Sequence, residues 1–201
     1  MSLFPNDPPL TLDMPDADVE YLRRFPMRLA PDALFDHLMH SVPWQQRDIT
    51  VWGKTHPQPR LTAWFGDPGR HYGYSGITME AQPWTAVLTE LRTGIEKHTS
   101  ASFNSVLLNL YRDHRDSMGF HADDEPELGP CPTIASLSVG EERTLVFKHR
   151  TRKLPPVRIK LASGSLLVMK GETQHRWLHG IHKLTAPCGP RINLTFRNIS
   201  G

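Results

Sequence analysis

The sequence predicts an α+β fold, mainly β, on three observations. Apolar residues recur at near-helical spacing in two segments of the first half, and after about residue 105 the period falls to 2. Six short runs of that second kind are separated by glycine and proline signals, the pattern of a sandwich or barrel. Finally, 18 of the 201 residues are proline, nearly twice the usual ~5%, which suits loops and edge strands and argues against a helical bundle.

Taken in order, residues 1–28 are rich in proline and acidic side chains and read as a surface wrap or lid. Pro31 to Met39 carries Leu34, Phe35, His37 and Leu38 at near-helical spacing and predicts a short helix. Asp48 to Trp52 reads as a strand, and Gly53 to Gly69, with its prolines, as a long loop. A second helix is expected with Pro83 near its first turn and Val87, Leu88, Leu91 and Ile95 as its apolar stripe. Strands then follow over 105–111, 133–139, 144–148, 157–161, 165–169 and 191–197. There is no internal repeat, heptad or low-complexity block. The expected organisation is an N-terminal extension with a short helix (1–45) and a single compact domain (46–201).

Composition narrows the classes of function. An apolar content of 38% is enough for a core and excludes wholesale disorder. No apolar run reaches the ~20 residues that cross a bilayer, and MSLFPNDPPL lacks the basic start and apolar middle of a signal peptide. Two cysteines, Cys131 and Cys188, make neither a disulfide framework nor a four-thiolate zinc site. The chain therefore reads as intracellular and reduced, without a membrane partner. A formal charge of +2 means that affinity for nucleic acid has to come from a local patch.

The strand Arg191-Ile-Asn-Leu-Thr-Phe-Arg197 carries the most chemistry. Alternation puts Ile192, Leu194 and Phe196 on one face and Arg191, Asn193, Thr195 and Arg197 on the other. Two guanidiniums spaced by most of a strand suit a ligand with two carboxylates, each met by an arginine fork. His121-Ala-Asp123 places an imidazole and a carboxylate on one side of an extended segment. With a further histidine they would form a two-histidine, one-carboxylate site that leaves positions open on Fe(II). His175, His179 and His182 are all candidates for that third ligand, and spacing does not choose among them. Asn109 and Tyr111 share a face of the strand just ahead of His121 and could hydrogen-bond a carboxylate or keto oxygen.

Together these segments resemble the AlkB family of Fe(II)/2-oxoglutarate dioxygenases, which reverse alkylation damage on nucleobases. The resemblance runs from about Thr50 to Asn198. It rests on Asn109-Leu-Tyr111, His121-Ala-Asp-Asp-Glu125, Ser163-Gly-Ser-Leu-Leu167, a distal His179 twelve residues before Arg191, and Arg191 to Arg197 itself. It implies a double-stranded β-helix, or jelly-roll, with flanking helices. It also implies His121, Asp123 and His179 as iron ligands, and Arg191 with Tyr111 on the distal carboxylate of 2-oxoglutarate. Arg197 and Asn109 would hold the end nearer the metal, with Asn193 and Thr195 as secondary contacts. Iron, 2-oxoglutarate and O₂ would oxidise an N-methyl group to release formaldehyde, succinate and CO₂.

A methyl group on the Watson–Crick edge is reachable only on an extruded base. His71-Tyr-Gly-Tyr-Ser-Gly76 is similar to the family's substrate lid (about 50–76), with Tyr72 and Tyr74 at the pocket edge and Ser75 on backbone or phosphate. Asp124 and Glu125 resemble base-edge recognition residues. Val51 to Lys54 is similar to the hairpin of duplex-active members, with Trp52 as the intercalating finger and Arg60 reaching the opposite strand. Arg143, Lys148, Arg150, Arg152, Lys153, Arg158 and Lys160 are 7 of the 23 lysines and arginines, and read as a phosphate-binding stretch. The function expected is demethylation of N1-methyladenine and N3-methylcytosine in DNA, with RNA as the alternative nucleic acid, by a monomer in a bacterial cytoplasm or a nucleus. The rivals are a dioxygenase of the same fold acting on RNA, a protein or a small molecule, and a jelly-roll module that binds without turnover.

Overall fold

The computed structural model describes residues 8–51, 54–69, 71–74 and 77–200, with side chains left aside at 50, 51, 54, 71–74 and 77–80. The N-terminal part contains strands β1 (Leu10–Thr11) and β2 (Asp18–Leu22), helix α1 (Pro31–Ser41), and two hairpins with a strand between them. These are β3 (Asp48–Val51) with β4 (Lys54–Pro57), then β5 (Leu61–Gly66), then β6 (His71–Tyr74) with β7 (Ile77–Glu80). Helix α2 (Ala86–Thr99) leads into β8 (Ser105–Tyr111), β9 (Met118–His121), a 3-10 turn (Pro126–Leu128), β10 (Ile134–Gly140), β11 (Arg143–His149) and β12 (Val157–Leu161). The chain closes with β13 (Ser165–Lys170), the single helical turn α3 (Thr173–Arg176), β14 (Trp177–Ile181) and β15 (Arg191–Arg197).

Two antiparallel sheets face each other. The larger runs β1-β2-β13-β10-β15-β8-β5, the smaller β12-β11-β14-β9. Two cores follow from strand alternation. Val106, Leu108, Leu110, Ala135, Leu137, Val139, Leu166, Val168, Ile192, Leu194 and Phe196 turn outward onto the helices, meeting Leu34 and Leu38 of α1 and Leu88, Leu91 and Ile95 of α2. Their neighbours Leu107, Tyr111, Ile134, Leu167 and Met169 turn inward against Leu145, Phe147, Leu161, Trp177 and Ile181 of the smaller sheet. Each of these fully buried side chains stabilises the fold by roughly 1.5–3 kcal/mol. The arrangement is the expected jelly-roll with flanking helices.

Local signals explain most boundaries. Pro31 opens α1, where its missing N–H costs nothing. Thr85 caps α2 by accepting from the Leu88 N–H (3.3 Å), and the helix ends at Ser100 in the left-handed region (φ 55°). Pro83 lies two residues before that cap, near the first turn as expected.

Three expectations need correction. The long loop expected over 53–69 contains β4 and β5, and β5 is paired along its whole length with β8. Both its faces are buried, with Ala63 and Phe65 toward the helices and Trp64 toward the second sheet, so Leu61 to Gly66 shows no polar alternation. Nor do residues 18–22 wrap the surface: β2 is a strand of the larger sheet, paired residue for residue with β13. Strands β9 and β14 carry no strand signal in sequence, and they hold two of the histidines that matter most.

Candidate active site

Strand β15 lies between β10 and β8, and every residue along it is buried. Arg191, Asn193, Thr195 and Arg197 point into the space between the sheets, where an unpaired polar group is costly. They line one cavity together with Asn109, Tyr111, His121, Asp123 and His179. The metal and 2-oxoglutarate residues expected from four separated segments thus converge on one cavity.

The metal-ligand set assembles across β9 and β14. His121 and His179 are register partners, and Asp123 follows His121 by two residues. Between that pair and Met118–Ile181 the ladder slips by one residue, a bulge in β9 of the kind that re-aims a side chain. Gly180 sits opposite the bulge because a Cβ there would lie 3.0 Å from the Met118 carbonyl. The ligand atoms of His121, Asp123 and His179 all lie within 4.8 Å of one another. The other two candidate histidines go elsewhere. His175 is exposed and bonded to the Pro130 carbonyl, and His182 is exposed with its ring edge-on to Phe120.

Each ligand is prepared by its surroundings. His121 Nδ1 lies 2.9 Å from the Gly119 carbonyl, so it must donate, which leaves the lone pair on Nε2. Burial holds both imidazoles neutral by lowering their pKa values, and the neighbouring His121 adds to that effect at His179. At Asp123 burial pushes the pKa upward, but the Arg197 guanidinium and the two histidines outweigh it and the net shift is downward. Asp123 Oδ1 accepts from Arg197 Nη2 at 2.5 Å, and the Asp123 N–H donates to Gln174 Oε1 at 2.9 Å. Its second oxygen, Oδ2, is buried without a hydrogen-bond partner, 3.9 Å from His179 Nε2.

The opposite end of the cavity is built for an anion. Arg191 is 2% exposed and donates to Ser138 Oγ through Nη2 (2.9 Å), while its Nε and Nη1 have no hydrogen-bond partner. Its guanidinium lies 5.1 Å from the centre of the Tyr111 ring. Asn193 donates to Ser136 Oγ (2.7 Å) and accepts from Thr195 Oγ1 (3.0 Å), so these two brace the row. Asn109 Oδ1 accepts from Arg60 Nε at 2.8 Å, which leaves the Asn109 Nδ2 as the group it offers a ligand.

On the side expected to meet nucleic acid, Arg60 is corrected. It is 3% exposed and faces inward onto Asn109 and the Ser117 carbonyl, so it cannot reach an opposite strand. Arg143 is likewise no part of an exposed basic stretch, being 2% exposed at the start of β11 in the smaller sheet. Lys148, Arg150, Arg152 and Lys153 are exposed. Arg150 binds Asp124 (2.5 Å) and Arg152 binds Asp16 (2.8 Å), exposed pairs worth about 0–1 kcal/mol. Glu125 is half-buried just ahead of the 3-10 turn. Trp52 and Ser75 lie outside the described residues, as do the side chains of Tyr72 and Tyr74 on β6.

Three supporting residues escape a motif reading: Ser136, Ser138 and Gln174. The two serines were within reach, since Ile134-Ala-Ser-Leu-Ser138 alternates and faces the same cavity as β15. Gln174 carries no local signal.

This constellation, a two-histidine, one-carboxylate set with Asp123 and His179 buried and His121 half-buried, facing a pair of buried arginines inside a jelly-roll, defines a class. A family model described as the 2OG-Fe(II) oxygenase superfamily matches residues 18–197, and the chain belongs to that superfamily as an AlkB-type member. It is 47% identical over 180 residues to mouse "Alpha-ketoglutarate-dependent dioxygenase alkB homolog 3", covering 84% of this chain and 61% of that protein. It is 42% identical over 158 residues to human "DNA oxidative demethylase ALKBH2", covering 75% of this chain and 60% of that protein. The chain thus spans about three fifths of the length of these relatives. The solved structure of OsALKBH1 shares the fold, with a TM-score of 0.66 at 15% identity over 95% of this chain and 100% of that one. The residues fit the cofactors of that superfamily. Asp123 Oδ2 is an orphaned buried anion beside two neutral imidazoles, and the Arg191 Nε and Nη1 are orphaned donors where a carboxylate would sit.

Proposed function

We propose that the protein is an Fe(II)/2-oxoglutarate dioxygenase that removes methyl groups from N1-methyladenine and N3-methylcytosine in DNA. The observation that carries the reading is the pairing, in one cavity, of the His121–Asp123–His179 set with the unsatisfied Arg191 guanidinium. The names of the relatives, one an alpha-ketoglutarate-dependent dioxygenase and one a DNA oxidative demethylase, support both the cosubstrate and the substrate class.

His121 Nε2, Asp123 Oδ2 and His179 would hold the metal, with Arg197 keeping Asp123 ionised and oriented. Arg191 would bind the distal carboxylate bidentately, and the Asn109 amide, oriented by Arg60, would donate to the end nearer the metal. Bound there, iron and 2-oxoglutarate supply the oxidising power that, with O₂, turns an N-methyl group into formaldehyde and leaves succinate and CO₂. Leu145, Leu161, Leu167, Met169 and Ile181 wall the cavity with apolar surface and keep bulk water from the reacting centre. The target base would be extruded, with Tyr72, Tyr74 and Ser75 at the lid, Trp52 filling the gap in a duplex, Asp124 and Glu125 near the base edge, and Lys148, Arg150, Arg152 and Lys153 on phosphates.

The test is repair of oligonucleotides bearing one N1-methyladenine, single-stranded and duplex, with base mass and released formaldehyde read together. Loss of one methylene mass with equimolar formaldehyde is expected, and Trp52→Ala should reduce duplex repair more than single-strand repair. Iron-dependent succinate formation without repair would move the enzyme to another substrate, and neither signal would leave a binding module.

A further inference from the structure

Arg143 is as deeply buried as Arg191, yet the metal and cosubstrate assignments leave it without a role. Its guanidinium donates to three backbone carbonyls, those of Asp113 (3.2 Å), Asp116 (3.0 Å) and His182 (2.6 Å). All three are neutral. The two carboxylates in that loop are spent on other arginines, Asp116 on Arg112 and Asp113 on Arg115. The guanidinium lies 5.8 Å from the Tyr111 ring centre, the same ring that Arg191 approaches to 5.1 Å. Two buried cations thus share one tyrosine, and neither has a carboxylate partner among its described contacts. Such a pair is costly alone and is stabilised when an anion enters.

We propose that Arg143 is a positioning residue for the cosubstrate, a second buried cation that selects the distal carboxylate by its field and by holding Tyr111 and the 112–116 loop around it. The inference rests on the 2-oxoglutarate reading of the cavity and goes beyond it, because Arg191 alone could supply a bidentate contact. The arginine fork explains the residue type. It can bind three carbonyls and keep its full charge while dry.

The test is binding without turnover, by calorimetry of the full chain with Mn(II) under argon. Two ligands are compared: 2-oxoglutarate, and 2-oxopentanoate, which has a methyl group in place of the distal carboxylate. In the parent protein 2-oxoglutarate should bind far more tightly. Arg143→Met should weaken 2-oxoglutarate by about tenfold, the scale of a nearby charge at an effective dielectric of about 20, and leave 2-oxopentanoate within about twofold. Should Arg143→Met not fold, Arg143→Gln removes the charge while its amide still serves a carbonyl, and the same ratio is read. Equal loss for both ligands, or an unchanged ratio, would make Arg143 a brace for the fold and overturn the inference. A parent protein that does not distinguish the two ligands would instead overturn the 2-oxoglutarate reading itself, and the inference with it.

Discussion

Replacing Arg197 by methionine tests how the site tolerates a buried carboxylate. Asp123 is 1% exposed, and Arg197 Nη2 lies 2.5 Å from its Oδ1. Removing one partner of a buried pair strands the other charge, at a cost of about 3–5 kcal/mol. A domain of this size loses about 2–4 °C per kcal/mol, so the melting temperature of the metal-free protein should fall by roughly 6–20 °C. The loss should depend on pH in a definite direction. Without the guanidinium, burial dominates and raises the Asp123 pKa above its unfolded value of about 3.9. The folded state then binds the proton better, so the deficit of Arg197→Met against the parent grows as pH rises above about 4 and shrinks below it. Adding Asp123→Asn removes the stranded charge and should recover about 2 kcal/mol or more of the loss. Calorimetric melting of the parent, the single and the double variant in EDTA at pH 4.5 and 7.5 measures all of this. A single variant that melts within about 2 °C of the parent, or a double variant no more stable than the single, would refute the stranded-charge reasoning.

Three further outcomes follow from the same geometry. Gln174→Ala leaves the buried Asp123 N–H without an acceptor and should cost about 1–3 kcal/mol in urea unfolding, with a weaker Mn(II) affinity by titration. Gly180→Ala pushes a Cβ against the Met118 and Gly119 carbonyls at 3.0 and 3.2 Å, so β9 must move off β14. Metal affinity should fall about tenfold or more, while overall stability drops by only about 1–3 kcal/mol. His121 and His179 are held neutral in the folded state, and their unfolded forms take up protons below about 6.5. The metal-free protein should therefore lose stability from pH 7.5 to 5.5, and His179→Asn should flatten that slope in paired urea titrations.

Much of this was legible before any tertiary contact is considered. The period of 2 in 105–111, 157–161 and 191–197 matches β8, β12 and β15 residue for residue, because each of these strands is bounded by turn chemistry and presents chemically distinct faces. The same alternation separates the Ile192–Leu194–Phe196 row from the arginine row. It therefore announces a ligand-facing strand, as far as one strand can. Ser136 and Ser138 obey that rule too and were open to the same argument.

What the chain order could not carry is burial and partnership. His175, His179 and His182 are equivalent in spacing, and His179 is singled out because β14 sets it against His121 across a bulge. Strand β5 hides in a proline-flanked stretch because both of its faces are covered, which erases the polar alternation that marks a half-exposed strand. Arg60 and Arg143 look like surface cations in sequence. Their buried positions follow from which acceptors, Asn109 in one case and three carbonyls in the other, the packing brings within reach. Residue type and period are local properties and survive in the one-dimensional record. Desolvation depends on what every other segment does, so which charges are buried, and which of them wait for a ligand, is settled only when the two sheets close on each other.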